Sequence, residues 1–198
     1  LILVLFVKNK ILFVCHYLIF QKLPILISKA IKMIIENEKL FIEKFKESDI
    51  SEWSKIESDP KVRHFVDGKK QTYKQSEEYI KKNILSYDIN GFGRYAVRFK
   101  KNKQLIGMCG FLEEDYGIDF GYRYTPTVWR NGIGFDVAKL VLNYGIKKLK
   151  LNKILALTHE DNHGSIRILE KLDFIKKNKI ILHKQNTYIF KLEIKNNK

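Results

Sequence analysis

The segment from Tyr116 to Thr158 constrains the fold more than any other part of the chain. Tyr116 to Tyr124 has the aromatic, alternating text of a strand. Pro126 breaks it, and the chain turns through Gly132 and Gly134. Val137, Leu140, Val141, Tyr144 and Gly145 then recur at three- and four-residue steps, the face of a helix running to about Lys150. Lys153 to Thr158 is a nearly continuous apolar strand. Two strands joined through a helix lie parallel in one sheet, with a right-handed crossover. The turn itself has a chemical consequence. A strand that passes through glycines into a helix start exposes several N–H groups at the positive end of the helix dipole, a ready seat for phosphate. Arg130 adds charge there, and the glycines let a ligand approach the main chain. The same residues also suit a plain strand-to-helix turn, because short glycine motifs recur widely.

The flanking text supplies the rest of a mixed layer. Lys39 to Phe45 alternates as a half-buried strand. Ser48 and Asp49 can cap a short helix that turns Ile50, Trp53 and Ile56 inward, and Asp59-Pro60 stops it. Val62 to Val66 reads as a basic, aromatic loop. Thr72 precedes a helix with Tyr79, Ile80, Ile84 and Leu85 facing in. Tyr95 to Phe99, Leu105 to Leu112 and Tyr116 to Tyr124 have short connections and form an antiparallel meander. Asn162 to Leu172 is a helix, and Ile180 to His183 and Tyr188 to Leu192 close the sheet.

Residues 1–32 differ from this body. They hold apolar runs up to ten residues long, Ile11 to Phe20, interrupted by lysines. Such a run is short of the roughly 20 apolar residues that span a bilayer, and the segment lacks the order of a signal peptide. The text becomes charged and alternating at Met33, the first methionine. We therefore expect an apolar N-terminal extension at 1–32, upstream of a functional start at Met33, and a domain at 33–198. A membrane-surface anchor is the other reading.

At 198 residues, with 45% hydrophobic content and 13 Phe, the chain can bury one real core. Cys15 and Cys109 offer neither a disulfide framework nor zinc spacing, which points to a reducing, cytoplasmic setting without a metal. The net charge is +15, and its lysines are spread over every segment. That favours anionic partners, cofactor phosphates or RNA among them; a compositional habit of writing Lys, Ile and Asn produces the same numbers.

From Met33 onward the order of these pieces resembles the GNAT superfamily of acetyl-CoA-dependent N-acetyltransferases, and within it the branch that acetylates the N-termini of ribosomal proteins. The resemblance is carried by Ile-Ile-Glu-Asn-Glu-Lys-Leu-Phe-Ile-Glu-Lys-Phe from Ile34, Asp59-Pro60-Lys61-Val62, Gly91-Phe92-Gly93 through Leu105 to Gly110, and Asp119-Phe120-Gly121-Tyr122. Trp129, Gly132 and Gly134 fit the pattern Gln/Arg-x-x-Gly-x-Gly/Ala with tryptophan in the first place, as is usual in that branch. Thr158 to Ser165 is similar to the loop into the family's last helix. The resemblance implies a mixed α/β fold: a mostly antiparallel central sheet of roughly six to seven strands, about four helices, and a splayed parallel strand pair holding the cofactor.

It also implies roles. Main-chain amides of Arg130, Asn131, Gly132, Ile133, Gly134 and Phe135 would hold the CoA pyrophosphate. The strand at Tyr122 and Tyr124 would bond the pantetheine arm, with the Tyr124 backbone polarising the acetyl carbonyl. Asn162 and Ser165 would touch cofactor, although both are also ordinary helix-capping residues. Leu169 stands where many members carry a thiolate-protonating tyrosine, and Asp173 replaces a glycine in a left-handed position.

The implied reaction transfers acetyl from acetyl-CoA to a primary amine by direct attack. Candidate bases are Asp119, favoured by its place on the cofactor strand, then Glu113, Glu114 and His159; Asp119 also reads as a solvent-facing strand carboxylate. His64 and His163 read as loop histidines and Cys109 as core. The acceptor is a protein N-terminus or a small polyamine-like or aminoglycoside-like amine, in a pocket framed by residues 61–68, 113–117 and 178–188. Ribosome association, as monomer or homodimer, is the implied setting. A non-catalytic acyl-CoA-binding module and a ribosome- or RNA-associated basic protein are the alternatives.

Overall fold

The computed structural model describes residues 35–194. The extension expected at 1–32 and the start expected at Met33 lie outside the described residues. Strands β1 (Ile35–Glu36) and β2 (Leu40–Lys44) lead into helix α1 (Ile50–Glu57), the short α2 (Pro60–Arg63) and the long α3 (Tyr73–Ile89). The meander β3 (Arg94–Phe99), β4 (Leu105–Glu114) and β5 (Gly117–Tyr124) follows, then α4 (Ile133–Lys147), β6 (Lys153–His159), α5 (His163–Lys171), β7 (Ile175–Leu182) and β8 (Gln185–Glu193). The eight strands make one sheet in the order β1-β2-β3-β4-β5-β6-β8-β7. Every neighbouring pair is antiparallel except β5 and β6, which are parallel as the crossover requires. The sheet exceeds the expected six to seven strands because the two-residue β1 joins its edge.

Local chemistry sets the helix boundaries. Thr72 and Gln75 make a reciprocal capping box: Thr72 Oγ1 accepts from the Gln75 N–H at 3.2 Å and Gln75 Oε1 from the Thr72 N–H at 2.9 Å. Asp59 caps α2 through the Lys61 N–H at 2.8 Å, with Pro60 at the first helical position. What reads as a loop at 62–66 therefore begins as helix. Asp49 makes no side-chain cap for α1. It is buried, accepts from the Lys46 N–H at 3.0 Å, and pairs with Arg98.

The two faces of the sheet are covered differently. Trp53, Ile80, Phe45 and Met108 centre a core between the sheet and α1 and α3. On the opposite face Phe111, Phe120, Val137, Val141 and Phe190 pack between the sheet and α4 and α5. On α3 the inward stripe is Ser76, Ile80, Asn83 and Tyr87, while Leu85, expected to face in, is 58% exposed. The polar members of that stripe have work to do: Asn83 Oδ1 accepts the Arg94 N–H at 2.7 Å, and the Tyr87 hydroxyl donates to the Arg94 carbonyl. Among the described residues no helix is long and apolar enough to cross a membrane.

Candidate functional site

Strand β5 pairs with β4 over its whole length but meets β6 at one position, Asp119 opposite Leu155. Beyond that point the two parallel strands separate, while β6 keeps its full ladder with β8. From Phe120 to Tyr124 and from Ala156 to His159, two strand edges face a cleft with main-chain groups available to a ligand. Alternation along β5 gives the cleft two sides. Phe120, Tyr122 and Tyr124 pack toward α4 and α5, whereas Asp119 and Arg123 pair with Arg94 and Glu57 on the side of α1 and α3.

The glycine turn lies at the end of β5. Pro126–Val128 forms a 3-10 turn, and the Trp129 indole N–H donates to the Tyr124 carbonyl at 2.9 Å, fixing the strand end. Arg130 and Gly132 take positive φ, 63° and 84°, which aims successive N–H groups outward. The first helical bond of the turn is Asp136 N–H to the Gly132 carbonyl at 3.1 Å, and the Ile133 N–H goes to Asn131 Oδ1 at 3.3 Å. Among the described residues the N–H groups of Arg130, Asn131, Gly132, Gly134 and Phe135 have no acceptor, as expected where a helix begins without a further cap. A Cβ at Gly134 would make ordinary contacts with Tyr124 at 3.4 Å and Ile168 at 3.5 Å, so packing does not demand glycine there. The Lys171 ammonium lies 5.6 Å from the Phe135 ring centroid, a further cation at the first turn of α4.

The remaining expected residues fall around the cleft. Asn162 caps α5 by accepting from the Ser165 N–H at 3.1 Å, which leaves its amide N–H groups and one oxygen lone pair for a ligand. Tyr122 and Ser165, expected to act separately, are joined: the phenol donates to the Ser165 carbonyl at 3.1 Å and lies 3.0 Å from its hydroxyl. Burial pushes the Tyr122 phenol up, partly opposed by that bond. The Tyr124 side chain is buried beneath the turn beside the Cys109 thiol, its hydroxyl without a hydrogen-bond partner among the described residues, and burial raises it too. Leu169 is 1% exposed and belongs to the core. Asp173 holds the left-handed conformation, φ 63°, expected of it.

Asp119 corrects one reading. It does not face solvent: it is 9% exposed and ion-paired to Arg94, whose Nη1 also donates to the Asp119 carbonyl at 2.9 Å. A carboxylate seated on a guanidinium has its basic oxygen occupied, so the pairing favours a strut over a base. Arg94 was not foreseen, and neither was Glu57, because their partners are distant in sequence. Glu114 is taken by Lys82 at 3.0 Å. The 113–117 turn lies at the start of β5, the end away from the splay, so it does not frame the cleft. His159 does stand at the cleft, at the end of β6, but its Nδ1 accepts the Asp161 N–H at 3.0 Å.

On the α1 and α2 side, Pro60, Lys61, His64, Phe65 and Trp129 line a shallow cavity of about 390 Å³ that is largely open to solvent. Phe65 lies 5.5 Å from the His159 ring, and Gln185 Nε2 donates to the His64 carbonyl at 3.5 Å. The segment after α2 thus reaches β6 and the β7–β8 hairpin, where two of the three expected framing stretches meet.

Three comparisons bear on this arrangement. The family model described as an acetyltransferase (GNAT) domain matches residues 39–175. An uncharacterized N-acetyltransferase of Bacillus subtilis, YoaA, is 26% identical over 147 residues, covering 72% of this chain and 83% of that protein. Among solved structures, a GNAT-family acetyltransferase from Bacillus anthracis superposes with a TM-score of 0.69 at 23% identity, covering 80% of this chain and 97% of the other. RimL, named a ribosomal L7/L12 alpha-N-protein acetyltransferase and solved with coenzyme A, gives 0.71 at 12% identity, covering 82% and 98%. At those identities the two structures speak to the fold.

Proposed function

The chain belongs to the acetyltransferase (GNAT) domain family and is an acetyl-CoA-dependent acetyltransferase; from that premise we propose that its acceptor is the α-amine of a polypeptide. The observation that carries the reading is the splay of β5 from β6, with orphan amides at one end and an aromatic cavity across it. The amides from Arg130 to Phe135 hold the pyrophosphate, Arg130 and Lys171 supply countercharge, and the free edge of β5 through Tyr124 bonds the pantetheine arm and the thioester carbonyl. Asn162 offers its amide N–H groups and Ser165 its hydroxyl on the same side. The amine attacks the carbonyl, the C–N bond forms, the C–S bond breaks, and the ammonium gives up its proton as the thiolate leaves. Tyr122 and Ser165 are the hydroxyls available to return a proton to sulfur.

The state of the candidate bases selects the amine: Glu113 is exposed at the end of β4 away from the splay, and the other three are engaged. Asp119 is held by Arg94, Glu114 by Lys82, and His159 Nδ1 by an amide. An enzyme that relies on solvent to take the proton favours an amine already neutral. At pH 7.5 about a third of an α-amine with pKa about 7.8 is neutral, against roughly one in a thousand of a lysine-like amine with pKa about 10.4. RimL is by name an N-terminal acetyltransferase, which supports the same choice, and the basic surface suits a ribosomal setting. We place the transferase domain at 33–198; a natively expressed chain whose intact mass begins at Leu1 would overturn Met33 as its start.

The test is thiol release from acetyl-CoA with a panel: tripeptide amides with a free N-terminus, N-acetylated peptides carrying lysine, spermidine and kanamycin. Turnover confined to free α-amines is expected. Turnover led by spermidine or kanamycin would overturn the acceptor assignment.

A further inference from the structure

The carboxylate of Glu57, the last residue of α1, is fully buried. Burying a carboxylate is costly unless cations are fixed around it, and here they come from two directions. Glu57 Oε2 accepts from Arg63 Nη1 at 2.7 Å and from Arg123 Nη1 at 2.5 Å. Its Oε1 accepts from nothing among the described residues, so the junction is made at a single oxygen.

The two arginines belong to different parts of the site. Arg63 organises the segment from Asp59 to Gln71. Its Nε donates to the Lys69 carbonyl at 3.0 Å, its Nη2 pairs with Asp67 at 2.5 Å, and its carbonyl accepts from Val66 and Gly68. Gln71 closes the far end: its main-chain N–H donates to the Glu57 carbonyl at 3.2 Å. With its amide turned to suit its neighbours, it also donates to Glu57 Oε2 at 3.2 Å and accepts from Arg63 Nη1 at 3.1 Å. This stitched segment carries Pro60, Lys61, His64 and Phe65, four of the five residues that line the cavity. Arg123 lies on β5, within the free edge of the splay and one residue before Tyr124.

We propose that Glu57 is a positioning residue: by bridging Arg63 to Arg123 it fastens the acceptor-side segment 60–68 to the cofactor strand and so sets the affinity for the amine. The inference rests on the reading that the cavity receives the acceptor. Phe65 against His159 and Gln185 on the His64 carbonyl tie the segment to β6 and β8. Among the described residues Arg123 is its side-chain tie to β5. Both strands of the splay are therefore linked to one roof. An apolar contact could supply adhesion, but a guanidinium on a carboxylate is directional and fixes distance as well.

Arg123→Gln cuts the β5 tie while leaving Glu57 paired with Arg63, and Glu57→Gln removes the junction. Hydrogen exchange is read on both with the full chain. Amides 61–68 should exchange about tenfold faster than in the parent, with amides 137–147 of α4 unchanged. Kinetics use the probe Ser-Phe-Gly amide. The KM for the peptide should rise about tenfold in Arg123→Gln, with the KM for acetyl-CoA within about twofold and part of the loss restored by Arg123→Lys. Unchanged exchange at 61–68, or equal rises in both KM values, overturns the proposal. A parent enzyme that leaves the peptide untouched removes the acceptor reading alone, and the exchange result then decides the role of Glu57.

Discussion

Gly132→Glu, set beside Gly132→Ala, isolates the anion-binding claim from backbone geometry. Gly132 has φ 84°, and a Cβ there would meet nothing within 4 Å. Either variant thus carries the same left-handed strain, about 1–2 kcal/mol, and no steric clash. For a domain of this size that lowers Tm by about 2–8 °C. The glutamate returns a little of it in the free protein, about 0.3–1 kcal/mol, because a carboxylate suits a helix N-terminus. With ligand the sign reverses. The new carboxylate sits where the pyrophosphate must sit, and two like charges about 5 Å apart at an effective dielectric of about 20 repel by about 3 kcal/mol. The turn is solvent-exposed, so salt reduces this to about 1.5–3 kcal/mol, a loss in affinity of roughly ten- to a hundredfold. Calorimetric titration with acetyl-CoA measures it, with Tm as the control for folding. Gly132→Ala should bind within a few-fold of the parent, and Gly132→Glu far more weakly at an equal or higher Tm. Matching affinities in the two variants would refute the argument, since only Gly132→Glu places a carboxylate at the turn.

Three further outcomes follow from the buried polar groups. Asp119→Asn leaves Arg94 without its counter-ion and should cost about 3–5 kcal/mol in stability while sparing kcat measured well below Tm; a collapse of kcat with little loss of stability would make Asp119 the base. Burial raises the phenols of Tyr79, Tyr87, Tyr95, Tyr122 and Tyr124. A raised folded value means that their contribution is whole below the unfolded value of about 10 and is lost as pH rises beyond it. An ultraviolet titration should therefore show these tyrosines ionising together with alkaline unfolding, and independent titration of all ten would contradict their burial. Burial also pushes the Cys109 thiol up to about 12, so iodoacetamide at pH 8 should leave it unmodified until the protein is unfolded.

The parts of the fold that the text announces are those fixed by neighbours in sequence. Val137, Val141 and Gly145 mark the buried face of α4 because a helix places such spacings together. Thr72 opens α3 with a cap complete within four residues, and Asp59-Pro60 marks the end of α1, although Asp59 also caps α2, which reads as loop. The strand, turn, helix and strand from Tyr116 to Thr158 required a parallel pair, and the sheet contains one. Leu85 shows where this stops: spacing alone left two stripes open on α3, and Asn83, needed by the Arg94 N–H, decided between them. Asp49 reads as a cap and instead pairs with Arg98, 49 residues away.

The same division runs through the site. Glycines 132 and 134 with Trp129 and Arg130 were enough to locate a turn with outward-facing N–H groups, because the direction of main-chain donors depends on local dihedral angles. The fate of each charged side chain was a matter of tertiary structure. Asp119 gained its counter-ion when Arg94, 25 residues earlier, was brought beneath Gly121; Glu57 met Arg123 across 66 residues. A carboxylate carries no mark of its partner, since charge acts through space and the chain alone does not say which cation will stand beside it.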